Sequence, residues 1–364
     1  MTKIKINKFV IDILGLVSVI LGIFCIFLRL QISICGKPDV LNIFLVKSVF
    51  YRGNFKIPKI LKPQKNNSKN IIKNINLNKN ILNNVTFPEV PQKQENYHDT
   101  NENTYKIIEK NLNTGGIKYK NFYIKNNTGQ DINYDEYFNK NPEIKIRNTA
   151  DPQVLILHTH TSEAYMPEDK DFFYESFYPR SLNDSENIIQ VGKTICDTLI
   201  KNGINCIHNT TYHDNPSYSG SYSRAAKTIK KYLEEYPSIQ VVLDIHRDSL
   251  GTKETGKIKP VFEYNNKKCA QIMIISGCDP DGTLEFPNWG KNLILALKLQ
   301  NYCEKLFPGL TCPLNFSKVK YNEILTPGSL LIEVGSDVNT LQEAVNSGVM
   351  LGQSISELLN NFKK

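Results

Sequence analysis

The sequence has no Cys-x-x-Cys pair among its 8 cysteines, and so lacks the usual signature of a structural zinc site. No small-residue cleavage site of the A-x-A kind follows its one long apolar run, which argues for a retained anchor over a removable signal peptide. A large excess of one charge sign is also absent from most of the chain. The chain has 44 Lys+Arg against 36 Asp+Glu, and residues 1–115 hold 17 and 7 of these, a net of +10. The remaining 249 residues carry 27 against 29, a net of −2. No basic, aromatic-interleaved face occurs in that larger part, which removes the main support for a nucleic-acid partner, and none is expected. The N-terminal excess suits an anionic membrane or wall polymer instead. With 40% hydrophobic and 10% aromatic residues in 364, the chain is neither wholly disordered nor fibrous, and its length allows one or two domains.

Phe9 to Leu28 reads FVIDILGLVSVILGIFCIFL, with Asp12 as its single charge. That is about the ~20 residues needed to cross ~30 Å of hydrocarbon. Lys3, Lys5 and Lys8 precede it, so the positive-inside rule leaves the N-terminus in the cytoplasm and the rest outside. Residues 1–35 are therefore expected to form a cytoplasmic tip and transmembrane helix. Residues 36–115, with the Asn/Lys-rich run QKNNSKNIIKNINLNKNILNN and Pro58, Pro63, Pro88 and Pro91, read as a disordered tether.

Residues 116–364 change character. KNFYIKN, VLIL, INCIH, IQVVLDIH, KPVFEY, AQIMIIS and SLLIEVG read as strands. They alternate with helical stretches after Asp184-Ser185, at SRAAKTIKKYLEEY, from Trp289 to Lys305 and from Thr340 to Phe362. The alternation predicts an α/β domain with a mostly parallel twisted sheet flanked by helices. Polar chemistry gathers at the carboxyl ends of such strands. His158 and His160 follow VLIL, His246 and Arg247 close IQVVLDI, Glu333 follows SLLI, and Glu186 opens a helix. Imidazoles with a carboxylate are the usual ligands of a hydrolytic zinc, and a further carboxylate would serve as base. The bland readings are a hydrogen-bonded loop histidine and a helix-dipole glutamate. The spacing of His158 and His160 would put both on one side only if the strand continued through them. The cysteines are expected to be mostly free thiols, with Cys25 in the span and Cys35 just beyond it.

The strings VLILHTHTSEAY (154–165), NIIQVGKTICDTLIKNGINCIHNTTYHDNPSYSGSYSRAAKTI (187–229), YPSIQVVLDIHRDS (236–249) and LTPGSLLIEVGSDVNTLQEA (325–344) resemble the stage II sporulation protein P family. The resemblance implies a membrane-anchored, extracytoplasmic peptidoglycan hydrolase of endospore engulfment. Its implied activities are N-acetylmuramoyl-L-alanine amidase and stem-peptide endopeptidase, and its implied partners are stage II sporulation proteins D and M. A more distant similarity to zinc amidases implies Zn2+ held by His160, Glu186 and His246, with Glu333 as catalytic base. His158 is the alternative to His160, and Asp184 to Glu186. Arg224 matches an arginine of those enzymes. Arg247, His213, Tyr218 and Tyr222 are candidate substrate contacts. The competing readings are a catalytically silent wall-binding scaffold and a sugar N-deacetylase.

Overall fold

A computed structural model describes residues 85–90 and 102–363. The expected cytoplasmic tip and membrane span at 1–35 lie outside the described residues. Among the described ones, no helix is long and apolar enough to cross a membrane.

The larger sheet is ordered β2 (Ile117–Tyr119), β3 (Phe122–Asn126), β12 (Leu314–Ser317), β11 (Ile272–Gly277), β13 (Ser329–Ser336), β7 (Val241–Asp248), β4 (Val154–Leu157) and β6 (Cys206–His208). The β3–β12, β12–β11, β13–β7, β7–β4 and β4–β6 pairings are parallel, while β2–β3 and β11–β13 are antiparallel. The unbroken VLIL of β4 is buried on both faces, as a central parallel strand demands.

Successive side chains on these strands serve opposite layers. Val154 and Ile156, with Val241, Leu243, Ile245, Leu330, Ile332 and Val334, join the core shared with α2 (Ile188–Lys201), α4 (Trp289–Leu306) and α5 (Leu341–Asn360). Leu155, Leu157 and Val242 face α3 (Ser221–Glu235) through Ala225 and Ile229. The same alternation puts Asp244, His246 and Glu333 on the α3 side. A fifth helix, α1 (Tyr134–Phe138), packs by Tyr137 against Trp289 of α4.

Local chemistry sets the helix ends. The Asn187 side chain accepts from the Ile189 N–H at the start of α2. Thr340 and Glu343 form a reciprocal capping box on α5, satisfying two otherwise unpaired donors. Helices α2 and α5 approach closely because Gly352 has no Cβ, which would lie 2.7 Å from the Thr198 Cβ.

The smaller sheet revises the expected domain boundary at 116. Its order is β10 (Lys267–Ala270), β9 (Gly256–Tyr264), β1 (Thr104–Lys110) and β5 (Phe172–Tyr174), with β8 (Gly251–Thr252) on β9. Strand β1 comes from the stretch read as tether and is interior to this sheet. Residues 85–90 are also attached: the Val90 N–H donates to Gln342, and the Gln342 amide donates to the Pro88 carbonyl. The compact unit accordingly begins near Asn70.

Glu323 lies in a short 3-10 turn between β12 and β13 and is buried. Its Oε2 accepts from the Gly277 N–H, and its Oε1 has no partner. Burial pushes this carboxyl up to about 8. The native state therefore keeps a proton that the unfolded chain releases above about pH 4.3, so stability falls as pH rises from there to about 8. Glu323→Gln is expected to remove about 2 kcal/mol of the stability lost between pH 6 and 8. Urea unfolding midpoints at the two pH values check this; an unchanged slope would assign the proton elsewhere.

Candidate active site

Three strands meet in register where the site forms. Glu333 of β13 pairs with His246 of β7, and Leu157 of β4 pairs with Asp244 of β7. Two-residue alternation along β7 then lines Asp244 and His246 on one face, with Glu333 beside them. Past Leu157 the chain turns, and its next six residues are all buried. The Thr159 N–H and hydroxyl donate to Asp244 at 2.8 and 2.6 Å. Asp244 accepts in turn from His246 Nε2 at 2.9 Å. A carboxylate behind an imidazole in this way fixes the ring and makes its other nitrogen a better ligand.

That other nitrogen, His246 Nδ1, stands 3.5 Å from Glu163 Oε2. The separation is long for a hydrogen bond but close to the ~3.4 Å between two ligand atoms on one tetrahedral ion with bonds of about 2.0–2.2 Å. Glu163 also accepts from the Arg247 N–H at 3.2 Å. The His160 ring lies 5.3 Å from the His246 ring, edge to face. Its buried Nδ1 has no hydrogen-bond partner. Glu333 Oε2 is likewise buried without one. Unsatisfied polar atoms of this kind are rare in native interiors and call for a reason. Together, two imidazoles, a carboxylate and an orphaned second carboxyl make a donor set suited to a zinc-type cation and a proton acceptor.

The electrostatics fit. Burial alone would raise Glu163, but the His246 contact and the charges of Arg247 and His160 bring it down to about 2. Burial also works against Asp244, which His246 and Thr159 nevertheless hold at about 2. Burial would lower His246, yet the flanking Asp244 and Glu163 hold it well above the usual imidazole value. Burial lowers His160, so its lone pair is available at neutral pH. Glu333 is pushed up to about 8, chiefly by burial; the Glu163 and Asp248 carboxylates add to this, and His246 opposes it.

Another acidic trio, Glu109, Asp169 and Glu343, has ligand atoms within 4.8 Å of one another, closer than the His160, Glu163 and His246 set. Lysines already neutralise it. Lys259 Nζ lies 2.5 Å from Asp169, 2.8 Å from Glu343 and 3.2 Å from Glu109, and Lys268 reaches Glu109 and Asp169 at 2.7 and 2.9 Å. That cluster ties β1 and β9 to the α5 N-terminus.

The expected site residues divide. His160, His246, Glu333 and both tyrosines gather. Tyr218 stacks on His160 with centroids 4.3 Å apart, and Tyr222 meets His160 edge-on and lies parallel to His246. Glu186 does not join them: its oxygens accept from Ser181 and Asn183 at 2.9 Å. Its stand-in Asp184 is exposed and accepts from the Tyr212 hydroxyl. His158 continues the β4 alternation toward α2, bonding the Ile245 carbonyl and His208 Nε2, both at 2.8 Å. Gly192 of α2 permits this, because a Cβ there would sit 2.6 Å from both imidazoles.

Three basic candidates hold up the site without opening onto it. His213 bridges the His158 carbonyl and the Thr228 hydroxyl. Arg224 donates to the carbonyls of His213, Ser217 and Ser219. Arg247 donates to those of Ala164 and Pro179. The six described cysteines are all free.

Glu163, Asp244, Arg180 and Tyr321 escaped the sequence reading. Glu163 stands three residues after His160, inside the quoted HTHTSE string, and Asp244 stands two before His246 on the same strand face. Either spacing was a usable signal. Arg180 follows Pro179 in a stretch without strand or helix periodicity and gave none. Tyr321, which stacks on Tyr222 with centroids 5.3 Å apart, has φ of 43°, uncommon for a bulky side chain.

A family model described as stage II sporulation protein P matches residues 57–356. A curated relative of that description from Bacillus subtilis (strain 168) is 28% identical over 231 residues, covering 60% of this chain and 54% of the relative. The chain thus matches about half the length of that relative. Among solved structures, it is similar to the N-acetylmuramoyl-L-alanine amidase AmiC2 of Nostoc punctiforme, at 12% identity over 58% of this chain and 96% of that one, with a TM-score of 0.31. It is similar also to the N-acetylmuramoyl-L-alanine amidase of Clostridium difficile 630, at 16% identity over 59% and 97% of the two chains, TM-score 0.31. A third is the CwlD amidase of Clostridioides difficile in complex with the GerS lipoprotein, at 13% identity over 57% and 99%, TM-score 0.31. At these identities, residue roles rest on the geometry above.

Proposed function

We propose that this chain, which belongs to the stage II sporulation protein P family, is a peptidoglycan hydrolase of sporulation. It cleaves the amide between muramic acid and L-alanine, and stem-peptide amides at the same centre. The observation that carries the reading is Glu333, whose Oε2 is buried without a partner and which pairs with His246 across the sheet. His160, Glu163 and His246 would hold a zinc ion, with Glu163 taking the place expected of Glu186. A zinc ion held there would polarise a carbonyl and make water acidic near neutral pH. Asp244 keeps the His246 Nε2 proton and so turns Nδ1 toward the ion. Glu333 Oε2 takes a proton from the attacking water and delivers it to the leaving amine. Tyr218, Tyr222 and Tyr321 wall the centre and keep bulk water from its buried carboxylates.

The apolar segment at 9–28 supports placement at the cell membrane with this domain outside, and the family supports work beside stage II sporulation proteins D and M. The test compares Glu163→Gln with Glu186→Gln in the 70–364 unit. Zinc titration by calorimetry and mass spectrometry of digested sacculi are expected to show bound zinc and new amine termini in the parent and in Glu186→Gln. Glu163→Gln is expected to lose zinc affinity at least tenfold and release no product. Wall binding without cleavage by the parent would favour a silent scaffold, and release of acetate alone a deacetylase.

A further inference from the structure

The arginines that the sequence singled out spend their donors on backbone carbonyls. Arg180 does not. Its Nη1 donates to Asp214 Oδ2 at 3.0 Å and to the Ser162 hydroxyl at 3.2 Å. Its Nη2 stands 4.0 Å from Glu163 Oε1, beyond hydrogen-bond reach. Its Cζ lies 4.9 Å from the centre of the Tyr218 ring, the ring that stacks on His160. The side chain is 23% exposed, whereas its counter-ion Asp214 is 1% exposed. Asp214 is pinned by the Ser162 hydroxyl at 2.6 Å and by the Ser162 N–H. Nη1 of the guanidinium is therefore anchored in the protein, its Cζ is close to an aromatic ring, and its remaining donors have no hydrogen-bond partner among the described residues. A planar fork fixed in this way matches a carboxylate in two-point contact.

We infer that Arg180 binds a carboxylate of the substrate peptide near the scissile amide, so that the enzyme selects acidic over amidated peptides. The inference rests on the hydrolase reading and specifies which peptides that site takes. Tyr218 lies against the guanidinium, and Asp214 holds it in place. A carboxylate offers two acceptor oxygens to the fork, whereas a carboxamide offers one and turns an N–H donor toward the guanidinium.

The experiment measures kcat/KM of the 70–364 unit on two muropeptides identical except that one α-carboxylate is replaced by a carboxamide. The parent is expected to prefer the acid by about tenfold or more, chiefly through KM. Arg180→Gln is expected to bring the ratio to near one, and Arg180→Lys to leave an intermediate ratio, since charge remains but the fork is lost. The ratio does not depend on the fraction of variant that is folded, so destabilisation through Asp214 does not imitate the result. A parent without preference, or either variant with the parental ratio, overturns the inference. A parent inactive on both peptides overturns the hydrolase reading itself and the inference with it.

Discussion

Glu333→Gln is expected to lower turnover on muropeptides by about 10²–10⁴-fold and to leave the fold in place. The magnitude is that of losing a positioned general base. Glutamine matches the shape of the side chain but has no site for the proton. The fold survives because Oε2 has no hydrogen-bond partner to lose, and no ion pair to Glu333 is left with a buried unpaired charge. Burial already pushes the carboxyl up to about 8, so the substitution also removes a group whose ionisation costs stability. In the metal-free protein the native state holds that proton between about pH 4.3 and 8 while the unfolded chain gives it up. The variant should therefore lose less stability than the parent as pH rises through that window. Steady-state kinetics at saturating zinc check the first part, and circular dichroism with urea midpoints at pH 6 and 8 checks the second. Undiminished turnover would move the base to another residue.

What the sequence makes legible follows periodicity. VLIL, IQVVLDIH and SLLIEVG are apolar runs because their strands have core on both faces, and a polar residue in such a run stands out. His246 and Glu333 are visible for that reason, and alternation puts them on one side. Glu163 is not periodic: it lies in a turn whose partners, His246 and the Arg247 N–H, come from a strand some 80 residues away. Glu186 was attractive because an acid at a helix start resembles a ligand position, but the residue that caps α2 is Asn187. Which of His158 and His160 reaches the site depends on how far the strand continues. β4 ends at Leu157, leaving His158 on the α2 side and turning His160 to the site. β1 is not legible in this way, because TYKIIEK mixes three charged residues with its apolar ones and sits next to an Asn/Lys-rich stretch. Its pairing is with β9, roughly 150 residues later, and nothing local announces it.

A fragment beginning at residue 116, the boundary suggested by composition, is expected not to fold stably, whereas one beginning at residue 70 is. The shorter fragment loses β1 from the interior of its sheet. Parallel pairing from Ile107 through Lys110 to Lys257 through Pro260, and antiparallel pairing from Thr104 through Lys106 to Phe172 through Tyr174, both go. Ile107, 4% exposed among Met166, Phe173 and Val338, goes too; its burial alone contributes about 1.5–3 kcal/mol. Tyr105 leaves its stack on Phe173, and Glu109 leaves Lys259 and Lys268. Residues 85–90 no longer cover α5 through Gln342. These losses together approach the ~5–15 kcal/mol that holds a whole domain, and they expose the long edge of β9 to intermolecular pairing. The damage reaches the site, because β5 lies in the same 164–180 segment that presents Arg180. Comparing the soluble yield, thermal midpoint and muropeptide release of the 116–364 and 70–364 fragments decides the point. Equal stability and activity would make β1 an ornament of the fold; the expected collapse makes the stretch leading into the domain a structural part of the catalytic wall.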